Sequence, residues 1–119
     1  MSMSDSWSPS EKKIARRAYD QALQRELAEL LVAFKRKAAS AAGSDDLWSI
    51  ELWLQAQRQE IDTKYDYRYS RLIGVFATLR HQGFIDIDDL ADLSSDKIAE
   101  IERYGAVSMI GASNATEPT

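Results

Sequence analysis

The chain has 119 residues, 45% of them hydrophobic and 29% charged, with a net charge of −4, one histidine (His81) and no cysteine. This is the size and balance of one folded domain, and it excludes collagen-like, mucin-like and fully disordered chains. The absence of cysteine removes disulfide scaffolds, thiolate zinc sites and Cys nucleophiles. A single histidine rules out a two-His metal centre within one chain, and the acidic balance argues against a broad nucleic-acid surface. The first ten residues are polar, so no secretory signal is expected. No apolar run is long enough to cross a membrane, and a cytoplasmic protein is the expectation.

Residues 1–8 read as a disordered N-terminus and 9–104 as one helical domain. Ser8-Pro9-Ser10-Glu11 places Ser at an N-cap, Pro at N1 and Glu at N3, which is a capping box. Ile14, Ala18, Leu23, Leu27, Leu30, Leu31, Phe34 and Ala38 follow at helical spacing, so the first helix is expected over 9–42. Ser44-Asp45-Asp46 opens a second helix, with Leu47, Ile50, Leu54, Ile61, Tyr65, Leu72, Val75, Phe76 and Leu79 at heptad-like steps. Nothing stops it before Gly83, a natural C′ glycine, and the spacing predicts one helix over 45–81. Shorter helices capped by Asp86 or Asp88, and by Ser94 or Ser95, form a small head over 86–104. That head is acidic: from Asp86 to Glu102 it carries seven acids against one lysine. Residues 105–119 have no amphipathic period and are expected to be disordered. The fold class is all-α.

Helices of 9–42 and 45–81 would be roughly 50 and 55 Å long, whereas a compact chain of this size has a radius of gyration of about 13 to 14 Å. A hairpin of the two leaves wide apolar faces. The simplest solution is an elongated homodimer, with Leu47, Ile50 and Leu54 at the seam.

Several residues carry candidate chemistry. Glu26-x-x-Glu29 puts two carboxylates on one helix face, a pattern that binds Mg²⁺ in all-α nucleotide hydrolases; Asp62 and Asp66 are the available partners. The solvated or ion-paired face is the stronger reading, and no metal or cofactor is expected. His81 falls in a last helical turn, where the dipole favours a cation. Trp48 and Trp53 are five residues apart and point away from each other, so one packs and the other is a possible interaction anchor next to Arg58. The run from Arg58 to Arg68 interleaves charges and aromatics and reads either as a polar helix–helix interface or as a solvated face.

The pattern Asp45-Asp46-Leu47-Trp48, then Arg58-x-Glu60-Ile61-Asp62-x-Lys64-Tyr65-Asp66-Tyr67-Arg68, resembles the fluorescence recovery protein family of cyanobacteria. Tyr19-Asp20-Gln21-Ala22-x-x-Arg25-Glu26-Leu27 agrees as well, and the similarity spans roughly Trp7 to Tyr104. The resemblance implies a small all-helical dimer without enzymatic activity. Such proteins bind the C-terminal domain of the orange carotenoid protein and speed its return from the red, quenching form to the orange form, ending phycobilisome quenching. It assigns Trp48 and Arg58 to the partner-binding surface, together with positions 51 and 52. This chain has Glu51 and Leu52 where the family pattern has His and Asp, and Gln57 and Gln59 where Lys and His are usual. An adaptor dimer with a different partner, in a bacterium without orange carotenoid protein, is the alternative.

Overall fold

The capping box at Ser8 is formed: Ser8 Oγ accepts from the Glu11 N–H at 3.2 Å, and the Ser8 N–H donates to Glu11 Oε1 at 3.1 Å. Helix α1 runs from there over Pro9–Ser40. The computed structural model describes residues 6–104, and the expectation for 105–119 lies outside them. A three-residue connection, with Gly43 extended as the N-cap, leads into α2, Ser44–Lys64. Then come α3 (Leu72–His81), a 3-10 turn (Ile87–Leu90) and a last helix, α4, over 95–104. The described residues contain helices and no strand.

The single helix expected over 45–81 is not present. The chain leaves helical geometry at Tyr65 (φ −91°, ψ 82°) and resumes it at Leu72. Neither glycine nor proline causes the break. Tyr65, Tyr67 and Tyr69 alternate with Asp66, Arg68 and Ser70, and a period of two puts alternate side chains on one side of an unwound segment. All three rings are used. Tyr19 of α1 makes edge-on contacts with Tyr65 (5.3 Å between centroids) and Tyr67 (4.8 Å), and Tyr67 and Trp7 each lie 5.8 Å from Tyr69. Aromatic pairs of this kind contribute about 0.5–1.5 kcal/mol each beyond area burial, enough together to outweigh a few helical hydrogen bonds.

Of the N-terminus expected to be disordered, residues 6–8 are placed against the fold and 1–5 lie outside the described residues. Trp7 is buried against the head, with Lys97 Nζ 4.9 Å from its ring. The first turn of α1 is thereby tied to α4. Lys97 is itself buried; its ammonium donates to the Ser6 carbonyl at 2.5 Å and to Glu11 Oε1 at 3.2 Å. Ser94, the N-cap of α4, donates its N–H to Glu11 Oε2 at 2.9 Å.

The core lies at one end of the molecule. Helix α3 buries Leu72, Ile73, Val75, Phe76, Ala77 and Leu79. It packs with the first half of α1, where Ala15, Ala18 and Ala22 form a small-residue seam that permits close approach. Leu90, Leu93 and Ile101 close the cluster. The end of α3 is a Schellman motif: the Phe84 N–H donates to the Leu79 carbonyl and the Gly83 N–H to the Arg80 carbonyl, at 2.9 and 3.1 Å. Gly83 sits at φ +89°, the left-handed region where a side chain is strained, as its C′ position requires. Beyond Ala22 nothing in α1 is buried, and no residue of α2 is. The second half of α1 and α2 form an arm projecting from the head. The molecule measures 55 × 35 × 22 Å with a radius of gyration of 17.1 Å, well above that of a compact chain of this length.

Two outcomes follow from this packing. Ala18→Leu overfills the seam and should lower unfolding free energy by about 1–3 kcal/mol, measured by urea titration. Burial pushes the Glu11 carboxyl up, but the Ser8 and Ser94 N–H groups and Lys97 outweigh it and hold the pKa below the usual carboxylate value. A carboxylate with a lowered folded pKa stabilises the fold above its unfolded pKa and loses that contribution as pH falls through the folded value. Glu11→Gln should therefore cost about 2 kcal/mol at pH 7, and the deficit should shrink as the titration is repeated at increasingly acid pH.

Candidate interaction surface

The arm is an antiparallel helical hairpin whose register is fixed at two points 11 residues apart on each helix. Near the head, Lys64 Nζ contacts Glu26 Oε2 at 2.6 Å. Near the tip, Lys37 Nζ lies 4.8 Å from the Trp53 ring. Between these points Leu30, Ala33 and Phe34 of α1 and Leu54, Gln57 and Ile61 of α2 are half-buried, as are Trp53 itself and Ile50, about one turn beyond it toward the tip. Trp53 is thus the packing indole of the pair. Trp48, turned about 140° from it around the helix, is 57% exposed.

The apolar surface of the arm is larger than its own interior needs. Leu27, Leu31 and Val32 on α1 and Leu47, Trp48 and Leu52 on α2 are all exposed, with Leu52 reaching 65%. Leu27, Leu31 and Val32 lie toward the head end of the arm and Leu47, Trp48 and Leu52 toward its tip, and exposed apolar side chains in such numbers are candidates for an interaction surface.

The residues singled out from sequence divide into two stripes on α2. Leu47, Leu54, Glu51 and Arg58 lie within about 60° of one another around the axis, so Arg58 continues the edge marked by Leu47 and Leu54. Trp48 and Leu52 are about 40° apart and form a second, separate ridge. The four partner-binding candidates therefore do not converge on one point. Arg58 is almost fully exposed, and its contact with Asp62, at 3.9 Å, is long and solvated. Such a pair holds the guanidinium weakly and leaves it available.

The polar run beyond Arg58 behaves differently from a uniform helix face. Asp66, outside the helix, is held by a two-point contact from Arg68 (2.6 and 2.8 Å) instead of lining up with Asp62. This guanidinium keeps the Asp66 carboxyl below the usual range. Lys64 turns inward to Glu26 rather than back to Glu60. Glu26 also accepts from the Tyr65 hydroxyl at 2.9 Å, and burial together with this bond raises the Tyr65 phenol well above its ordinary value, so it stays a donor. The Glu26 carboxylate is occupied, and Glu26 with Glu29 offers no open pair for Mg²⁺. Among the described residues no three His, Asp or Glu side chains gather as metal ligands. His81 ends α3 and is exposed.

The sequence expectations missed the junction: Trp7 as core, Tyr67 and Tyr69 packed against it, and Lys97 as a buried cation; the ion-paired reading of Glu26 holds, with Lys64 as its partner. The signal for the tyrosines was present in the period-two alternation of 65–69. Nothing in the sequence marks Lys97 as buried or names the partner of Glu26.

This geometry can be set beside known proteins. The family model of the photoprotection regulator fluorescence recovery protein matches residues 7–104. The fluorescence recovery protein of Synechocystis sp. PCC 6803 is 40% identical over 96 residues, which cover 81% of this chain and 88% of that protein. The solved structure of the Fremyella diplosiphon fluorescence recovery protein matches with a TM-score of 0.80 at 39% identity, over 85% of this chain and 99% of that one. The Synechocystis structure gives 0.81 at 38% identity, with the same coverage. The match takes in the head, the unwound tyrosine segment and the arm alike, and the chain belongs to the fluorescence recovery protein family of photoprotection regulators.

Proposed function

We propose that this chain is a non-enzymatic, cytoplasmic regulator that works as a homodimer, binds the orange carotenoid protein and accelerates its red-to-orange reversion, ending phycobilisome quenching. The observation that carries the proposal is that α2 buries no residue of its own while displaying Leu47, Trp48 and Leu52. The edge with Leu47, Ile50 and Leu54 is assigned to the dimer seam. Trp48, Glu51, Leu52 and Arg58 are assigned to the partner. Trp and Arg are the residue types that most often anchor interfaces, and a dimer carries two copies of each. Family membership supports the regulatory role.

Leu52 bears on the choice of partner. An exposed leucine where the family pattern has an aspartate replaces a charge-assisted contact with an apolar one, so binding to orange carotenoid protein is expected to be present but reduced. The alternative of an adaptor dimer with another partner rests on Glu51 and Leu52 together, which stand where the family pattern has His and Asp.

Two experiments test the proposal. Leu47→Glu places a carboxylate in the seam, where burial of an unpaired charge costs several kcal/mol, and sedimentation should find single chains. A Leu47→Glu protein that remains fully dimeric would contradict the assigned seam. The dark recovery rate of photoactivated orange carotenoid protein should rise with the wild-type chain and lose most of that rise with Trp48→Ala or Arg58→Ala. Arg58→Ala should leave unfolding free energy within about 0.5 kcal/mol, separating loss of binding from loss of fold. No acceleration at high excess, with no complex on size exclusion, would favour the adaptor reading.

A further inference from the structure

The junction between arm and head is polar, and its contacts come from three separate segments. Lys64, the last residue of α2, is largely buried. Its ammonium donates to Glu26 of α1 at 2.6 Å and to Oε1 of Gln82, just past α3, at 2.7 Å. Tyr65 closes on the other oxygen of Glu26. The neighbouring Arg25 reaches the Phe84 carbonyl at 2.7 Å and Asp89 at 3.1 Å, reinforcing the same corner. These contacts sit where the buried stretch of α1 ends, at Ala22, and the arm begins. Lys64 and Gln82 also line a groove of about 970 Å³ that separates the end of α2 from α3 and α4, with Gln59, Glu60, Ile73 and Glu100 on its walls. Among the described residues of α2, Lys64 is the one whose side chain hydrogen-bonds across to the head. Two stretches of backbone join the bodies: α1, which is helical throughout, and 65–71, which is not.

We propose that Glu26, Lys64 and Gln82 form a latch that holds the end of α2 against α3 and thereby sets the width of the groove, with Tyr65–Arg71 as the hinge. The head core is complete without the latch, since none of its three residues belongs to the buried cluster. In the arm, α2 is also held to α1 near the tip, by Lys37 on Trp53. Removing the ammonium takes away the charge-assisted contacts of this corner and leaves Glu26 only the Tyr65 hydroxyl and a neutral amide donor from Gln82, while the head keeps its own packing. The latch is thus a conformational device, separable from folding.

The test uses the full chain. With no native cysteine, Gln55→Cys on α2 and Glu102→Cys on α4 give two unique spin-label sites outside the groove lining, and excess unlabelled chain suppresses distances between copies. The labelled parent should give one narrow distance. Lys64→Met should add a second, broader population, an open state raised about tenfold or more over its level in the parent, and Lys64→Arg should restore the narrow distance. Glu26→Gln, which keeps an acceptor for Tyr65 but loses the charge, should also broaden the distribution. Identical narrow distributions in Lys64→Met and Glu26→Gln would overturn the latch, showing that packing alone fixes the width of the groove. Loss of the helical circular dichroism signal in both variants would overturn it as well, because the pair would then belong to the folding core.

Discussion

A helix of 21 residues that buries none of them is the constraint around which this structure is arranged. Helix α2 meets α1 along one half-buried strip, which satisfies Ile50, Trp53, Leu54 and Ile61 in part and leaves Leu47, Trp48 and Leu52 in water. Apolar burial is worth roughly 25 cal/mol per Å², and a helix that gains so little of it inside its own chain is marginal. The stability of the monomer is concentrated instead in the head, where Leu72, Phe76, Leu79, Leu90 and Ile101 are fully enclosed. The arm is a presenting element, and its sequence is explained by what it presents.

The head and arm are joined by different physics from that within the head. Inside the head, small residues on α1 let α3 approach and apolar volume fills the gap. At the junction the contacts are edge-on tyrosines and charge-assisted hydrogen bonds, with Lys12 and Arg16 set over the tyrosine rings. Such contacts are directional, so they fix an angle as well as a separation. A single 37-residue helix in place of α2, the tyrosine segment and α3 would have carried Leu72, Phe76 and Leu79 away from Ala15, Ala18 and Ala22. Unwinding at 65–71 turns α3 back onto α1, and the core depends on that turn.

Much of this was legible in the sequence, for identifiable reasons. The start of α1 and the end of α3 were set by local chemistry: a capping box at Ser8 and a glycine needing a left-handed conformation at position 83. The opposed roles of Trp48 and Trp53 followed from five-residue spacing alone. The break at Tyr65 was hidden because Tyr65, Leu72, Val75 and Leu79 also fit a helical period, and the alternation Tyr65-x-Tyr67-x-Tyr69 competed with it. Only the position of Tyr19, more than 40 residues away, decides between the two patterns. The pairing of Glu26 and the burial of Lys97 are likewise tertiary facts: each is a charged side chain on an otherwise ordinary helix face until a distant partner arrives. The assigned interaction stripes were readable as apolar spacing, while their division between a second copy and a partner was not.

The account stands on the arm being covered by a second copy of the chain. If so, association adds to the stability of the single chain, and the unfolding midpoint must depend on concentration. The direct measurement is the urea midpoint of the full chain, followed by helical circular dichroism across a hundredfold range of protein concentration. The account predicts a midpoint that rises steadily with concentration. A midpoint that does not move, together with a sedimentation mass of one 13.4 kDa chain throughout, would contradict it.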